Sequence, residues 1–240
     1  CLGHFSRVIS DQLFEGMAEA LLKNANESRD SEAKKTYLQC IGTVGRAAGH
    51  RLGLFMDKVV PLIKETLEDE EFSDDLGLKD HCIKTFTSLA ASCPKEITPH
   101  LDFIEAKASE LIKYDPNYVV SEDDEDDNRG GDNNAVDDDD DGFGGDGSDG
   151  WGADSWDDSE GDDELAHWDP VDDQSWTVRK SCACLLSTLV RTRPERLERS
   201  FTGIAPVLIS RCSEREETVR VDVVQAYGEL VRQAGNHRDR

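Results

Sequence analysis

The sequence has no long hydrophobic run and few methionine, histidine and aromatic residues. Its 240 residues include 2 Met, 6 His and 7% aromatic residues. No apolar run is long enough to cross a bilayer, and no stretch has the pattern of a secretory signal peptide. The histidines form no His-x-x-x-His pair, and no glycine-rich loop precedes a helical pattern. We therefore expect no catalytic residue, no metal site and no cofactor.

The seven cysteines show no spacing typical of a disulfide framework. Four of them occupy helical patterns as small apolar residues, which is typical of proteins in a reducing compartment. The pair Cys182-x-Cys184 would place its two thiols about 200° apart around a helix, so they cannot share one metal ion.

The charge of this chain is concentrated in one segment. The sequence has 52 acidic and 27 basic residues. The segment from Ser121 to Asp173 contains 24 of the acidic residues and one of the basic residues, and the rest of the chain contains 28 acidic and 26 basic residues. So polar a segment cannot bury enough apolar area to offset chain entropy, and it predicts disorder. Its charge would repel nucleic-acid phosphates and anionic membranes, whereas a basic protein partner would be attracted.

Candidate contact residues within this acidic segment are its two longest carboxylate runs and two of its tryptophans. These residues are Glu122, Asp123, Asp124, Glu125, Asp126, Asp127, Asp137, Asp138, Asp139, Asp140, Asp141, Trp151 and Trp156. Acidic segments with scattered aromatic residues can dock into basic grooves that have an apolar slot. The alternative is a solvated spacer with incidental aromatics. A partial EF-hand pattern at Asp137 lacks the glutamate expected at position twelve, where Ser148 stands.

Four segments share one helical pattern when they are aligned on a basic residue, which is Lys34, Lys79, Arg179 or Arg220. The residues three, four, seven and ten positions later are predominantly apolar. They are Tyr37, Leu38, Ile41 and Val44; Cys82, Ile83, Phe86 and Leu89; Cys182, Ala183, Leu186 and Leu189; and Val223, Val224, Tyr227 and Leu230. Because these offsets fall on one stripe of a helix, each segment predicts an amphipathic helix.

The spacing of the four segments indicates stacked helix pairs. Lys34 and Lys79 are 45 residues apart, and Arg179 and Arg220 are 41 apart. Both values lie in the roughly 40–47 residue period of HEAT and armadillo repeats. The 100 residues from Lys79 to Arg179 equal one period plus an excess that the acidic segment accounts for. We therefore predict an all-α, HEAT-repeat (armadillo-like) α-solenoid, with repeats in 1–120, a disordered acidic insertion at 121–173 inside one repeat, and further repeats in 174–240.

Each repeat also has a candidate first helix, predicted at residues 12–23, 54–67, 100–114 and 200–211. Leu13 and Phe201 are among the apolar residues assigned to the packed faces of these helices. Pro61 is expected either to kink the second helix or to occupy a site in it that tolerates proline. The shared basic residue has a structural interpretation, in which it pairs with an aspartate of the neighbouring repeat and forms a ladder. We favour that role over ligand binding.

Several strings resemble one known family. They are Tyr37-Leu38-Gln39-Cys40-Ile41, Ala48-Gly49-His50-Arg51, Cys93-Pro94-Lys95-Glu96, Tyr114-Asp115-Pro116-Asn117-Tyr118 just before the acidic segment, Asp173-Gln174-Ser175-Trp176-Thr177-Val178-Arg179 after it, and Leu208-Ile209-Ser210-Arg211 with Glu214-Arg215-Glu216-Glu217. In this order they resemble the cullin-associated, neddylation-dissociated protein family. The end of the sequence, 236–240, departs from the family pattern, and the acidic segment is richer in Gly and Trp.

The resemblance implies a non-catalytic solenoid that wraps an unneddylated cullin bound to its RING subunit. Family members regulate assembly of SCF-type ubiquitin ligases by exchanging places with the substrate-receptor module, and they are found in cytoplasm and nucleus. A TATA-binding protein is a secondary partner. We expect the chain to be an internal piece from the N-terminal half of such a protein. The alternative is an importin-β-type nuclear transport receptor or another HEAT-repeat scaffold, although the importin acidic loop is much shorter.

Overall fold

The computed structural model of the protein describes residues 2–115 and 174–238, and the secondary structure of these residues is helical without strands. Ten α-helices follow one another in the described ranges. They are α1 (Leu2–Val8), α2 (Asp11–Glu27), α3 (Ser31–Ala48), α4 (His50–Gly53), α5 (Met56–Glu68), α6 (Leu76–Ser92), α7 (Leu101–Leu111), α8 (Ser175–Thr192), α9 (Leu197–Ser210) and α10 (Glu217–Arg238).

The helices form two layers. The second helices of the repeats, α3, α6, α8 and α10, each pack on the preceding one, and we call them the B layer. The first helices, α2, α5, α7 and α9, form the A layer, while α1 packs against α3. Pairs α2–α3, α5–α6, α7–α8 and α9–α10 are therefore four successive repeats. The predicted HEAT-type α-solenoid is confirmed for the described residues.

Local sequence explains where several helices begin and how closely they approach. Ser10, Asp30 and Asp75 precede α2, α3 and α6, and each side chain accepts a hydrogen bond from a backbone N–H of the first turn. Gly49 ends α3 with φ of 51°, a conformation that disfavours residues with a Cβ. Gly42 lies where α3 meets α6, and a Cβ there would be 3.4 Å from Ser88 Oγ.

The repeated apolar positions form most of the B-layer core. Leu38, Ile83 and Ala183 share one position and are all buried. The equivalent Val224 in α10 is an exception, because 53% of it is exposed. In α3, α6 and α8 this side of the helix is covered by the next B-layer helix, whereas no helix of the described residues covers it in α10. The prediction of a buried stripe is therefore wrong at Val224.

The A-layer predictions are correct in helix position but partly wrong in orientation. Leu13 of α2 is 63% exposed and Phe201 of α9 is 44% exposed, whereas their neighbours Phe14 and Ile204 are buried. A shift of one residue turns a side chain by about 100° around a helix, so a short apolar cluster does not fix which member faces inward. Pro61 lies inside α5, which continues on both sides of it.

The predicted acidic insertion lies outside the described residues. The described chain stops at Asp115, shortly after α7, and is described again from Gln174, directly before α8. These two helices are the halves of one repeat, so the interruption of the described chain falls between them. The limits proposed for the three segments stay predictions.

Candidate binding surface

The two layers carry opposite charge. The four B-layer helices contain eleven Lys and Arg residues and five Asp and Glu residues, whereas the A-layer helices contain five basic and eleven acidic residues. The balance is thus +6 for one layer and −6 for the other. Because a solenoid recognises partners over an extended surface, this segregation gives its two faces different preferences.

The solvent side of the B layer presents basic side chains on α3, α6 and α8. Arg46 of α3 and Arg191 of α8 are exposed, and Lys180 of α8 is half-buried. Lys84 of α6 has a side chain that is 40% exposed, and it pairs at 2.8 Å with Asp80, which is almost buried. We call Arg46, Lys84, Lys180 and Arg191 the B-face cations. They offer long, partly paired side chains that can reach carboxylates of a partner.

The A layer contains a ladder of aspartates beside basic groups. The sequence predicted such a ladder at other positions, the repeated basic residues of the second helices. An aspartate in the first turn of α2, α5 and α7 lies beside a basic group that precedes the next A-layer helix. The ion pairs are Asp11 with Arg51 at 2.9 Å and Asp102 with Arg196 at 2.5 Å, and at the equivalent place His100 Nε2 lies 3.7 Å from Asp57. The hydrogen bond from Arg196 lowers the pKa of Asp102 below its ordinary value. These carboxylates are exposed, so the ladder is solvated.

Lys34 and Lys79 contact the turn between the two helices of the following repeat, whereas Arg220 contacts the turn of its own repeat, and none of these three contacts is with an aspartate. The ammonium of Lys34 lies 4.9 Å from the ring centre of Phe72, and that of Lys79 lies 5.6 Å from the ring centre of Tyr114. Arg220 donates to the backbone carbonyl of Glu214. The predicted aspartate ladder is therefore wrong at these positions, because the turns present aromatic rings and carbonyls to them.

Arg179 is the exception, and it lies at the centre of a buried charged group. Its Nε donates to Glu214 at 3.0 Å, and its Nη1 donates to the Tyr114 carbonyl at 3.2 Å and to Ser175 Oγ at 2.5 Å. Its Nη2 lies 3.8 Å from Asp115. The side chains of Arg179 and Glu214 are 0% exposed and that of Asp115 is 2% exposed. We call these five residues the Arg179 cluster.

Glu214 remains ionised in this environment. Burial by itself would raise its pKa, but hydrogen bonds from Arg211 and Arg179 outweigh that and hold the pKa below its ordinary value. Glu214 is therefore a buried negative charge that depends on its arginine partners. An unpaired ion at such a site would be costly.

A groove runs between α2 and α5 on the A layer, with two adjoining cavities of ≈ 420 and ≈ 360 Å³. Phe14, Leu22 and Leu62 form its apolar part, and Glu19 and Lys58 line both cavities. The last two residues pair at 3.2 Å across the groove. The groove has mixed charge and no convergent polar group that would orient a small ligand.

The described cysteines are free thiols. Burial raises the pKa of Cys82 and Cys182, and it raises the pKa of Cys93 and of Cys184 to about 11. Such thiols are poor nucleophiles at neutral pH. Within residues 2–115 and 174–238, no three metal-binding side chains come together. In the same ranges, no helix is long and apolar enough to span a membrane.

The candidate contact residues of the acidic segment, Glu122–Asp127, Asp137–Asp141, Trp151 and Trp156, lie outside the described residues, so they stay predictions. Sequence reasoning missed Glu214 and Asp115, since neither is part of the aligned repeat pattern. The signal that could have found them is one carboxylate after the first helix of the arginine's own repeat, Asp115, and another in the turn of the following repeat, Glu214.

Comparisons with known proteins agree with the resemblance found in the sequence. The chain is 37% identical over 236 residues to Cullin-associated NEDD8-dissociated protein 2 of Mus musculus, which covers 96% of this chain and 17% of the relative. It is 35% identical over 233 residues to Cullin-associated NEDD8-dissociated protein 1 of Dictyostelium discoideum, covering 97% and 18%. The corresponding protein of Arabidopsis thaliana is 30% identical over 239 residues, covering 98% and 17%.

The resemblance to the cullin-associated, neddylation-dissociated protein family is thereby confirmed, and the chain spans less than a fifth of the length of these relatives. No family model matches the chain. A crystal structure of an engineered protein superimposes with a TM-score of 0.51 and 13% identity, over 97% of this chain and 71% of the other. That likeness supports the fold alone.

Proposed function

We propose that this chain is part of a non-catalytic HEAT-repeat scaffold that binds an unneddylated cullin together with its RING subunit. In this role it would regulate the assembly of SCF-type ubiquitin ligases and the exchange of their substrate receptors. The observation that carries the proposal is similarity at 30–37% identity along 91–98% of the chain to proteins named for cullin association. The helical architecture supports it, because stacked repeats offer a long surface for a large partner.

We place the cullin contact on the B layer. Its solvent side is continuous across α3, α6, α8 and α10, and the B-face cations reach outward from three of these helices. Exchange needs no covalent chemistry. It requires that scaffold and substrate-receptor module each weaken the other's hold on the cullin, and such coupling is reciprocal.

The acidic segment would contribute to the rate of encounter with a basic partner. A balance of −23 between Ser121 and Asp173 produces long-range attraction toward basic protein surface. Neutralising Glu122–Asp127 and Asp137–Asp141 should slow association at low salt and leave dissociation nearly unchanged. The difference should shrink above about 0.15 M salt, where the screening length is roughly 8 Å. Replacing Trp151, Trp156 and Trp168 by Ser separates two roles of the segment: docking predicts faster dissociation, and steering alone predicts no change.

The proposal includes a cellular location in cytoplasm and nucleus, and a TATA-binding protein as a second partner. It includes neither nucleic acid nor membrane as a partner, because the acidic segment repels both.

The deciding experiment compares one cullin–RING complex before and after neddylation. The chain is immobilised, and retention of both forms is measured at matched concentrations. The proposal predicts retention of the unneddylated complex and at least about tenfold weaker retention of the neddylated one, a difference of about 1.4 kcal/mol. Equal retention of the two forms, or retention of neither, would contradict it. GTP-bound Ran serves as the comparison ligand, since an importin-type receptor would retain it instead.

A further inference from the structure

The interrupted repeat is built from two chain segments, one before and one after the interruption, which pack extensively against each other. The first segment is 2–115 and the second is 174–238. Helix α8 of the second segment packs against α6 and α7 of the first. Its side chains Val178, Cys182 and Leu186 are all 0% exposed. The second segment thus supplies the helix at the centre of the core, and the first segment supplies one side of its surroundings, α6 and α7.

Polar contacts between the segments occur at both ends of this interface. Near the interruption, Arg179 contacts Asp115 and the Tyr114 carbonyl, and Arg215 pairs with Asp115 at 3.1 Å. Further along, Ser181 donates to the almost buried carboxylate of Asp80.

A third contact between the segments lies in the A layer. Asp102 of α7 pairs with Arg196 at 2.5 Å and with Arg199 at 3.0 Å. Three separated polar contacts and a continuous apolar core therefore fix the second segment on the first in one orientation.

We propose that this interface is sufficient by itself to hold segments 2–115 and 174–238 together. The folded body then survives a break in the chain between residues 116 and 173. The surface of α6 and α7 is then an intramolecular binding site whose occupant is segment 174–238. The Arg179 cluster sets the strength of this association, because it joins the last described residue before the interruption to the turn that precedes α10.

The experiment places a cleavage site for a sequence-specific protease after Gly145 in the full chain. The protein is cut in its native state and the two fragments are followed by size-exclusion chromatography and by helical circular dichroism. At about 1 µM we expect both fragments to elute together with unchanged helix content, which corresponds to a dissociation constant well below that concentration. Separation of the fragments under these conditions would overturn the proposal.

Two variants test the role of the cluster. Arg179→Gln removes the guanidinium that contacts Asp115 and the Tyr114 carbonyl of the first segment, and it takes one of two arginine partners from the buried Glu214. The cut protein should therefore dissociate at concentrations on the order of 100-fold higher than the cut parent. The uncut variant should keep its helix content, because the covalent connection makes the association intramolecular. Cut Arg179→Gln protein that holds together as tightly as the parent would refute the role given to the cluster.

A milder variant covers the case in which uncut Arg179→Gln fails to fold. Asp102→Ala removes the exposed contact between the segments, and the cut variant should dissociate a few-fold more readily than the cut parent. The matched control is Arg29→Ala, because Arg29 pairs with Asp69 and Glu71 entirely within the first segment. It should leave co-elution unchanged, and a loss equal to that of Asp102→Ala would refute the assignment of the interface.

Discussion

Both the A layer and the B layer attach each repeat to the next, but they do so by different chemistry. In the A layer the polar contacts between repeats are ion pairs of exposed aspartates, such as Asp11 with Arg51 and Asp102 with Arg196. In the B layer the links are buried, such as Arg179 with Glu214 and Ser181 with Asp80. Exposed ion pairs contribute little and buried ones are costly to break. The B layer therefore carries the stability, and the A layer can vary.

The largest expected effect comes from breaking the buried link. Arg179→Ala should lower the free energy of unfolding by about 3–5 kcal/mol, because it removes two hydrogen bonds from the charged, buried Glu214 and leaves Arg211 as its arginine partner. Urea unfolding followed by circular dichroism measures this. A loss under about 1 kcal/mol would show that the cluster is solvated and that the contrast between the layers is wrong.

The same link should make stability depend on acid. Glu214 has a lowered pKa when folded, so its contribution is present above the unfolded value of about 4.3 and is lost as pH falls through the folded value. The parent protein should lose more stability than Glu214→Gln between neutral pH and pH about 3. Parallel pH profiles of the two proteins would contradict this assignment.

A smaller effect is expected at Lys34, whose ammonium faces Phe72 in the B layer. Lys34→Ala should cost about 1–2 kcal/mol, since Lys34 is 6% exposed and loses both packing and the cation–ring contact. Lys34→Met keeps most of the packing, so thermal unfolding of the two variants separates the contributions. Equal destabilisation by both would assign the effect to the cation alone.

The smallest effect is expected in the A layer. Lys58→Ala removes an ion pair with Glu19 whose side chains are 61% and 54% exposed, and it should cost under about 1 kcal/mol. Adding 1 M salt should reduce the difference further, because the screening length then falls to about 3 Å. A loss as large as that of Arg179→Ala would remove the distinction between the layers.

The sequence was sufficient for the architecture because the core positions repeat. Ile41, Phe86 and Leu186 occupy one register position, and all three are fully buried. The helix pattern and its period follow from that regularity. Orientation at the edges did not follow, as Leu13 and Val224 show, because exposure there depends on which neighbouring helix covers the side chain.

The polar links were less predictable than the core. The aligned position predicted one kind of contact, yet Lys34 faces a ring and Arg179 faces carboxylates. The difference depends on the turn of the following repeat, which carries Phe72 in one case and Glu214 in the other. Turns vary more in sequence than helix cores do. The contacts of the repeated basic residues therefore could not be predicted from the aligned helix pattern.

The central claim is that the B layer is the face that binds a cullin–RING complex, and a pair of charge-reversal variants tests it most directly. One variant is Lys84→Glu/Lys180→Glu/Arg191→Glu on the B layer. The other is Lys23→Glu/Lys58→Glu/Lys64→Glu on the A layer, with the same change in net charge. Their dissociation constants for the unneddylated complex are compared with that of the parent. We predict at least about tenfold weaker binding for the B-layer variant and less than about twofold change for the A-layer variant. Equal weakening by both, or weakening by the A-layer variant alone, would contradict the claim.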